Sequence, residues 1–166
     1  MKLTMRWQVL EKFIKQHNLK IGAEIGVWKA RTSSYLLQHC DIFLYCIDVW
    51  ATTVGYDKPK WDHRSNERHS RHLLKPFADK CKIIKDYSDK ASQQIEDNEL
   101  DFVFIDGDHT MNGVVKDIES FWQKVKPNHY IMGHDYDRQG VKDGVHKFCK
   151  EPNQLPNGIW WFKRWE

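Results

Sequence analysis

Glycine and proline are scarce in this 166-residue chain, 9 and 5 residues, so neither a low-complexity segment nor a Gly/Pro-rich linker between two domains is expected. Cysteine is scarcer: Cys40, Cys46, Cys81 and Cys149 lack the paired spacing of a zinc site, and they read as reduced thiols of a cytoplasmic protein rather than a disulfide framework. No charge of one sign dominates. Lys and Arg number 26 against 23 Asp and Glu, a net charge of +3, and the charges are interspersed, which speaks against a dedicated nucleic-acid-binding module. Apolar runs such as Phe102–Ile105 fall far short of the roughly 18 residues a membrane span needs. The start, Met1-Lys2-Leu3-Thr4-Met5-Arg6-Trp7, is broken by charge before a secretory leader could form. Aromatic residues are plentiful instead, 8 Trp, 6 Tyr and 8 Phe, enough to fill the core of one ordinary domain over residues 1–166.

Short apolar runs alternate with segments of helical period. Leu10, Phe13, Ile14 and His17 predict an amphipathic helix within residues 1–19, a packing element rather than a chemical one. Strands are predicted at Ile21–Ile25, Ile42–Ile47, Lys82–Lys85, Phe102–Ile105 and Tyr130–Met132. Helices are predicted near Thr32–His39, Ser65–Phe77, Ser88–Asp97, Asn112–Val125 and Val141–Cys149. Strands rich in Ile, Val and Phe without hairpin turns between them imply an α/β, doubly wound, mostly parallel sheet of Rossmann-like type. The tail from Gly158 to Trp165 reads as a C-terminal antiparallel edge strand. Trp50–Arg64, the longest stretch without periodicity, reads as a lid loop.

In open α/β sheets ligands bind beyond the carboxyl ends of the strands, and here every such end carries an acid: Glu24, Asp48, Asp86, Asp106 and Asp135. One carboxylate in such a turn is usually a cap or solvated, but acids at every strand end call for a cationic, hydroxyl-rich or metallic ligand. The first turn, Gly22-Ala23-Glu24-Ile25-Gly26-Val27-Trp28, lacks the further glycines that admit a pyrophosphate. Asp48, followed by Val49, stands about 20 residues past Gly26, where a dinucleotide fold places its ribose-binding acid. A nucleoside without pyrophosphate fits, and S-adenosylmethionine is one. Asp48 would accept from the ribose hydroxyls, Glu24 and Gly26 would face the methionine end, and Asp86-Tyr87-Ser88 would contact adenine, with Tyr87 equally readable as a core aromatic.

Ile105-Asp106-Gly107-Asp108-His109 and Gly133-His134-Asp135-Tyr136 are the densest clusters of chemistry-bearing side chains. If their strands are neighbours, Asp106, His134 and Asp135 converge as hard ligands suited to Mg²⁺ or Mn²⁺; the competing reading is an Asp–His network bracing two loops. His63, His69 and His72 are interleaved with Arg64, Arg68 and Arg71 and read as a solvated basic face rather than a second metal site.

The pieces Ala23-Glu24-Ile25-Gly26, Tyr45-Cys46-Ile47-Asp48-Val49-Trp50, Phe102 through His109 with Asp117, and Gly133-His134-Asp135-Tyr136 resemble those of class I S-adenosylmethionine-dependent methyltransferases, specifically methyltransferase family 24, which includes macrolide sugar O-methyltransferases. The resemblance spans residues 20–150. Ala30, where a glycine is common, Met111, where a tyrosine is, and Asn128-His129, where a Gly-Gly often stands, depart from it. It implies O-methylation of a small or carbohydrate-like acceptor with divalent metal assistance. In that reading His109 is the general base, and Asp106 serves in catalysis, in metal binding and at the cofactor. The acceptor would be held by the Trp50–Arg64 loop or by a second subunit. The rival classes are a non-catalytic S-adenosylmethionine-binding domain, which needs no base, and a nucleic-acid module using the His63–His72 face.

Overall fold

The computed structural model describes residues 5–51 and 62–166; most of the loop read as a lid, residues 52–61, lies outside them. Five strands pair in parallel: β1 (Ile21–Ile25), β2 (Phe43–Asp48), β3 (Cys81–Lys85), β4 (Leu100–Ile105) and β5 (Val125–Gly133). Two more, β6 (Asn153–Leu155) and β7 (Ile159–Lys163), are antiparallel, and the sheet runs β3-β2-β1-β4-β5-β7-β6. The expected antiparallel C-terminal edge is therefore a hairpin. β7 lies against β5, and β6, too short and polar to announce itself, is outermost.

Each central strand is apolar on both faces because helices cover both. In β4, Phe102 and Phe104 pack toward α1 (Arg6–Gln16), α2 (Arg31–His39) and Leu74 of α3 (His63–Leu74). The alternate residues Val103 and Ile105 pack toward α5 (Met111–Trp122) and α6 (Gln139–Val145), beside the short α4 (Ser88–Ala91). That alternation is the period-two geometry of a strand buried on both sides. Asp101, the lone acid inside β4, is satisfied by the N–H groups of Lys20 and Ile21, at 2.6 and 3.0 Å, and by Lys126 at 2.6 Å.

Local chemistry sets the helix ends. Asp62 caps α3 by accepting from the Ser65 N–H, 3.0 Å, and Thr110 caps α5 by accepting from the Gly113 N–H, 3.1 Å. α3 tightens into a 3₁₀ turn over Lys75–Phe77, which contains Pro76. α5 ends at Trp122 instead of running to Val125 as expected, because Val125 pairs with Leu100 and opens β5. The four cysteines are free thiols. Among the described residues, no helix is long and apolar enough to cross a membrane.

β1 and β4 are adjacent in the sheet, while the chain leaves them in opposite directions, to β2 and to β5. Such a reversal opens a crevice at the carboxyl ends of the two strands. Gly26 is indispensable there: its φ is +89° and a Cβ would lie 2.3 Å from the Asp106 carbonyl oxygen, which no other residue could tolerate.

Candidate active site

A cleft of about 520 Å³ lies over that reversal, within the usual range of small-molecule sites. Of the expected cofactor-side residues, Gly26, Asp48, Val49, Asp86, Tyr87 and Ser88 line it. Asp48, at the end of β2, is clamped by the backbone: Oδ2 accepts from the Trp28 N–H and Oδ1 from the Trp50 N–H, each at 2.7 Å. Burial raises its pKa, opposed by these N–H donors. Both tryptophans hold left-handed backbone, φ 49° and 43°, and the Trp50 indole donates to the Trp28 carbonyl at 2.9 Å. Ala30, standing where a glycine is common, is also left-handed, φ 55°, which explains why glycine suits that position.

Glu24 is placed differently from expectation. It is buried beneath the cleft and does not line it; its carboxylate accepts from the Ser33 hydroxyl of α2. Burial pushes it up to about 8, so at neutral pH it is largely a neutral brace under the first turn. Tyr87 is exposed on the rim rather than in the core. Asp86 Oδ1 accepts from the Tyr87 N–H at 2.9 Å. Asp117 on α5 reaches the same end of the cleft, and burial raises it to about 7 against a hydrogen bond from Ser88.

At the other end, β4 and β5 are neighbours, as the convergence of Asp106, His134 and Asp135 requires. One potential ligand atom from each lies within 4.8 Å of the others. His109 joins them: Nε2 is 2.6 Å from Asp135 Oδ2 and 3.8 Å from Asp106 Oδ1. His134 Nδ1 is 3.2 Å from Asp135 Oδ1 and 3.5 Å from Asp106 Oδ1. Burial draws both imidazoles down, but the hydrogen bonds to Asp106 and Asp135 prevail and lift each to about 9. Hydrogen bonds from His109 and His134 hold the Asp135 carboxyl far below the usual range. Asp135 is itself left-handed, φ 56°, a costly conformation for a non-glycine residue. The Tyr136 N–H bonded to the Gly158 carbonyl at 3.0 Å pins the turn.

Two cationic residues absent from the sequence reading complete this end. Arg138 Nε lies 3.3 Å from Asp135 Oδ2. Arg6, the first residue of α1, places Nη1 2.8 Å from Asp106 Oδ2 and 3.4 Å from His134 Nδ1. The amphipathic helix does pack through Val9, Leu10, Phe13 and Ile14, yet its first residue enters the site. No local pattern marks an arginine whose partner stands a hundred positions away.

The donor set is hard enough for Mg²⁺ or Mn²⁺, but its arrangement does not fit one. Both Oδ1 atoms converge on His134 Nδ1, but Asp106 Oδ2 is taken by Arg6 and Asp135 Oδ2 by His109 and Arg138, so a divalent ion there would sit among guanidinium and imidazole N–H groups that repel it. The histidines of α3 join no such group among the described residues; His63 faces the cleft, while His69 and His72 are exposed.

A protein-family profile described as a methyltransferase domain, methyltransferase family 24, matches residues 19–136. The chain belongs to this family. The expectation of a class I S-adenosylmethionine-dependent methyltransferase is thereby borne out. Solved structures share the fold at low identity. An O-methyltransferase from Bacillus cereus in complex with S-adenosylhomocysteine superposes with a TM-score of 0.72 at 15% identity, over 95% of this chain and 80% of that one. The O-methyltransferase NovP gives 0.70 at 16%, over 96% and 78%. A methyltransferase from Geobacter sulfurreducens gives 0.69 at 13%, over 100% and 81%. Comparison with curated protein sequences returns no match.

Proposed function

We propose that this methyltransferase moves the methyl group of S-adenosylmethionine onto a hydroxyl oxygen of a small or carbohydrate-like acceptor. The supporting observation is the cleft itself, which joins a backbone-clamped carboxylate at one end, Asp48, to an imidazole–carboxylate pair at the other, His109–Asp135. Asp48 accepts from the ribose hydroxyls, while Asp86, Tyr87, Ser88 and the buried Asp117 frame the adenine. Bare Gly26 lets the methionine end approach the backbone. Asp106 closes the methionine end from the acceptor side.

The cofactor supplies a methyl group made electrophilic by its sulfonium. An acceptor oxygen forms the new bond to that carbon as the carbon–sulfur bond breaks, the electron pair stays on sulfur, and the hydroxyl proton passes to the His109–Asp135 pair. The chain's own work is alignment and proton removal. A purely cofactor-binding role needs no such base.

The test is transfer of labelled methyl from S-adenosylmethionine to panels of hydroxylated, amine and thiol compounds. Label in hydroxylated products alone is the expected result. Label confined to amines or thiols overturns the oxygen assignment.

A further inference from the structure

The acceptor end carries a cation that the family-matching segment does not supply. Arg6 precedes residues 19–136, on a helix held down by Val9, Leu10, Phe13 and Ile14 and tied to α2 by the Tyr35 hydroxyl donating to Glu11 at 2.8 Å. Its side chain touches the first turn of α2, where Nε donates to Thr32 Oγ1 at 3.3 Å, and ends on Asp106 Oδ2. Arg6 lines the cleft and keeps 29% of its side-chain surface exposed, whereas Asp106 keeps 8%. The guanidinium is therefore the accessible half of a pair whose carboxylate is nearly closed off.

We propose that Arg6 takes the place of a divalent cation in this enzyme, and that methyl transfer runs without a metal. The proposal rests on the methyl-transfer reading and concerns its acceptor end. A metal would do two things there, neutralise Asp106 and present a fixed positive charge to the acceptor oxygen. Arg6 does both: Nη1 is bound to the carboxylate, Nε is fixed on Thr32, and the residue lines the cleft with a planar, multi-donor charge. It also excludes the ion. An ion among Asp106, His134 and Asp135 would sit beside a guanidinium anchored by a packed helix, with Arg138 on the far oxygen of Asp135. Like charges at that range repel strongly in a partly buried site.

Mn²⁺ binding, followed by electron paramagnetic resonance in the presence of S-adenosylhomocysteine, tests this without any acceptor. The wild-type protein should leave Mn²⁺ free. Arg6→Met, which keeps the aliphatic stem but removes the charge, should uncover the carboxylates and bind Mn²⁺ at least tenfold tighter than wild type. Arg6→Lys, which keeps the charge, should bind no more than wild type. Stoichiometric Mn²⁺ binding by the wild-type protein overturns the proposal, whatever the state of the variants. So does a folded Arg6→Met with no gain. Titration of S-adenosylhomocysteine into the same wild-type sample reports separately on the methyltransferase reading: a metal-binding protein that also binds this product keeps that reading and loses only the role of Arg6.

Discussion

The two ends of the cleft are built in opposite ways. The Asp48 end is built mainly on backbone: apart from Asp117 on α5 its residues stand at strand ends and the turns after them, and the key carboxylate is fixed by backbone N–H groups of Trp28 and Trp50. The Asp106 end is convergent: its polar groups come from α1, the turn after β4 and the turn after β5, and side chains hold side chains. Backbone clamps tolerate changes in neighbouring side chains, whereas a network of shared carboxylates redistributes whenever one member is lost.

That contrast breaks most visibly at His109. His109→Ala should slow methyl transfer by roughly 10²–10⁴ while leaving S-adenosylhomocysteine affinity nearly intact, measured as single-turnover rate against calorimetric binding. Loss of both would show that the ends are one unit. Glu24 offers the next largest effect, beneath the cofactor end. Its folded pKa, about 8, lies above the ordinary 4.5, so the native state keeps a proton the unfolded state releases, and stability is present below the lower value and is lost as pH rises toward the upper one. Glu24→Gln should remove on the order of 3 kcal/mol of that decline between pH 5 and 8, read from denaturant unfolding at each pH.

The pH dependence of catalysis sharpens the comparison further. A lone imidazole would give a rate limb near its ordinary value, but the hydrogen bonds that His109 donates to the two carboxylates outweigh burial and raise it to about 9. The methyl-transfer rate should therefore climb about tenfold per pH unit from 7 toward 9, and Asp135→Asn should move that limb toward neutrality. Smallest in size is Asp48→Ala, which should weaken S-adenosylhomocysteine binding by about 2 kcal/mol through lost charged hydrogen bonds, with no change in the shape of the pH profile.

The same division decides what could be read from the chain alone. Acids placed where apolar runs stop made the cleft positions of Asp48, Asp86, Asp106 and Asp135 legible, because strand ends and ligand crevices are linked by topology. Gly26 was legible from the turn it must make. The burial of Glu24 was not legible, since alternation along β1 says which residues change face but not which face meets the cleft; its carboxylate accepts from Ser33. Arg6 and Arg138 were invisible, for their partners lie across the fold, and the period of α1 spoke only of packing. β6 was too short for any pattern, and Val125 was drawn into β5 by pairing with Leu100 that sequence periodicity does not encode.

Calorimetric titration of the wild-type protein with S-adenosylhomocysteine, alongside NAD, tests the central assignment of the cleft most directly. Saturable one-to-one binding of S-adenosylhomocysteine, absent for NAD because the turn from Gly26 to Trp28 lacks the further glycines of a pyrophosphate site, is the expected result. NAD binding with no response to S-adenosylhomocysteine would contradict the account.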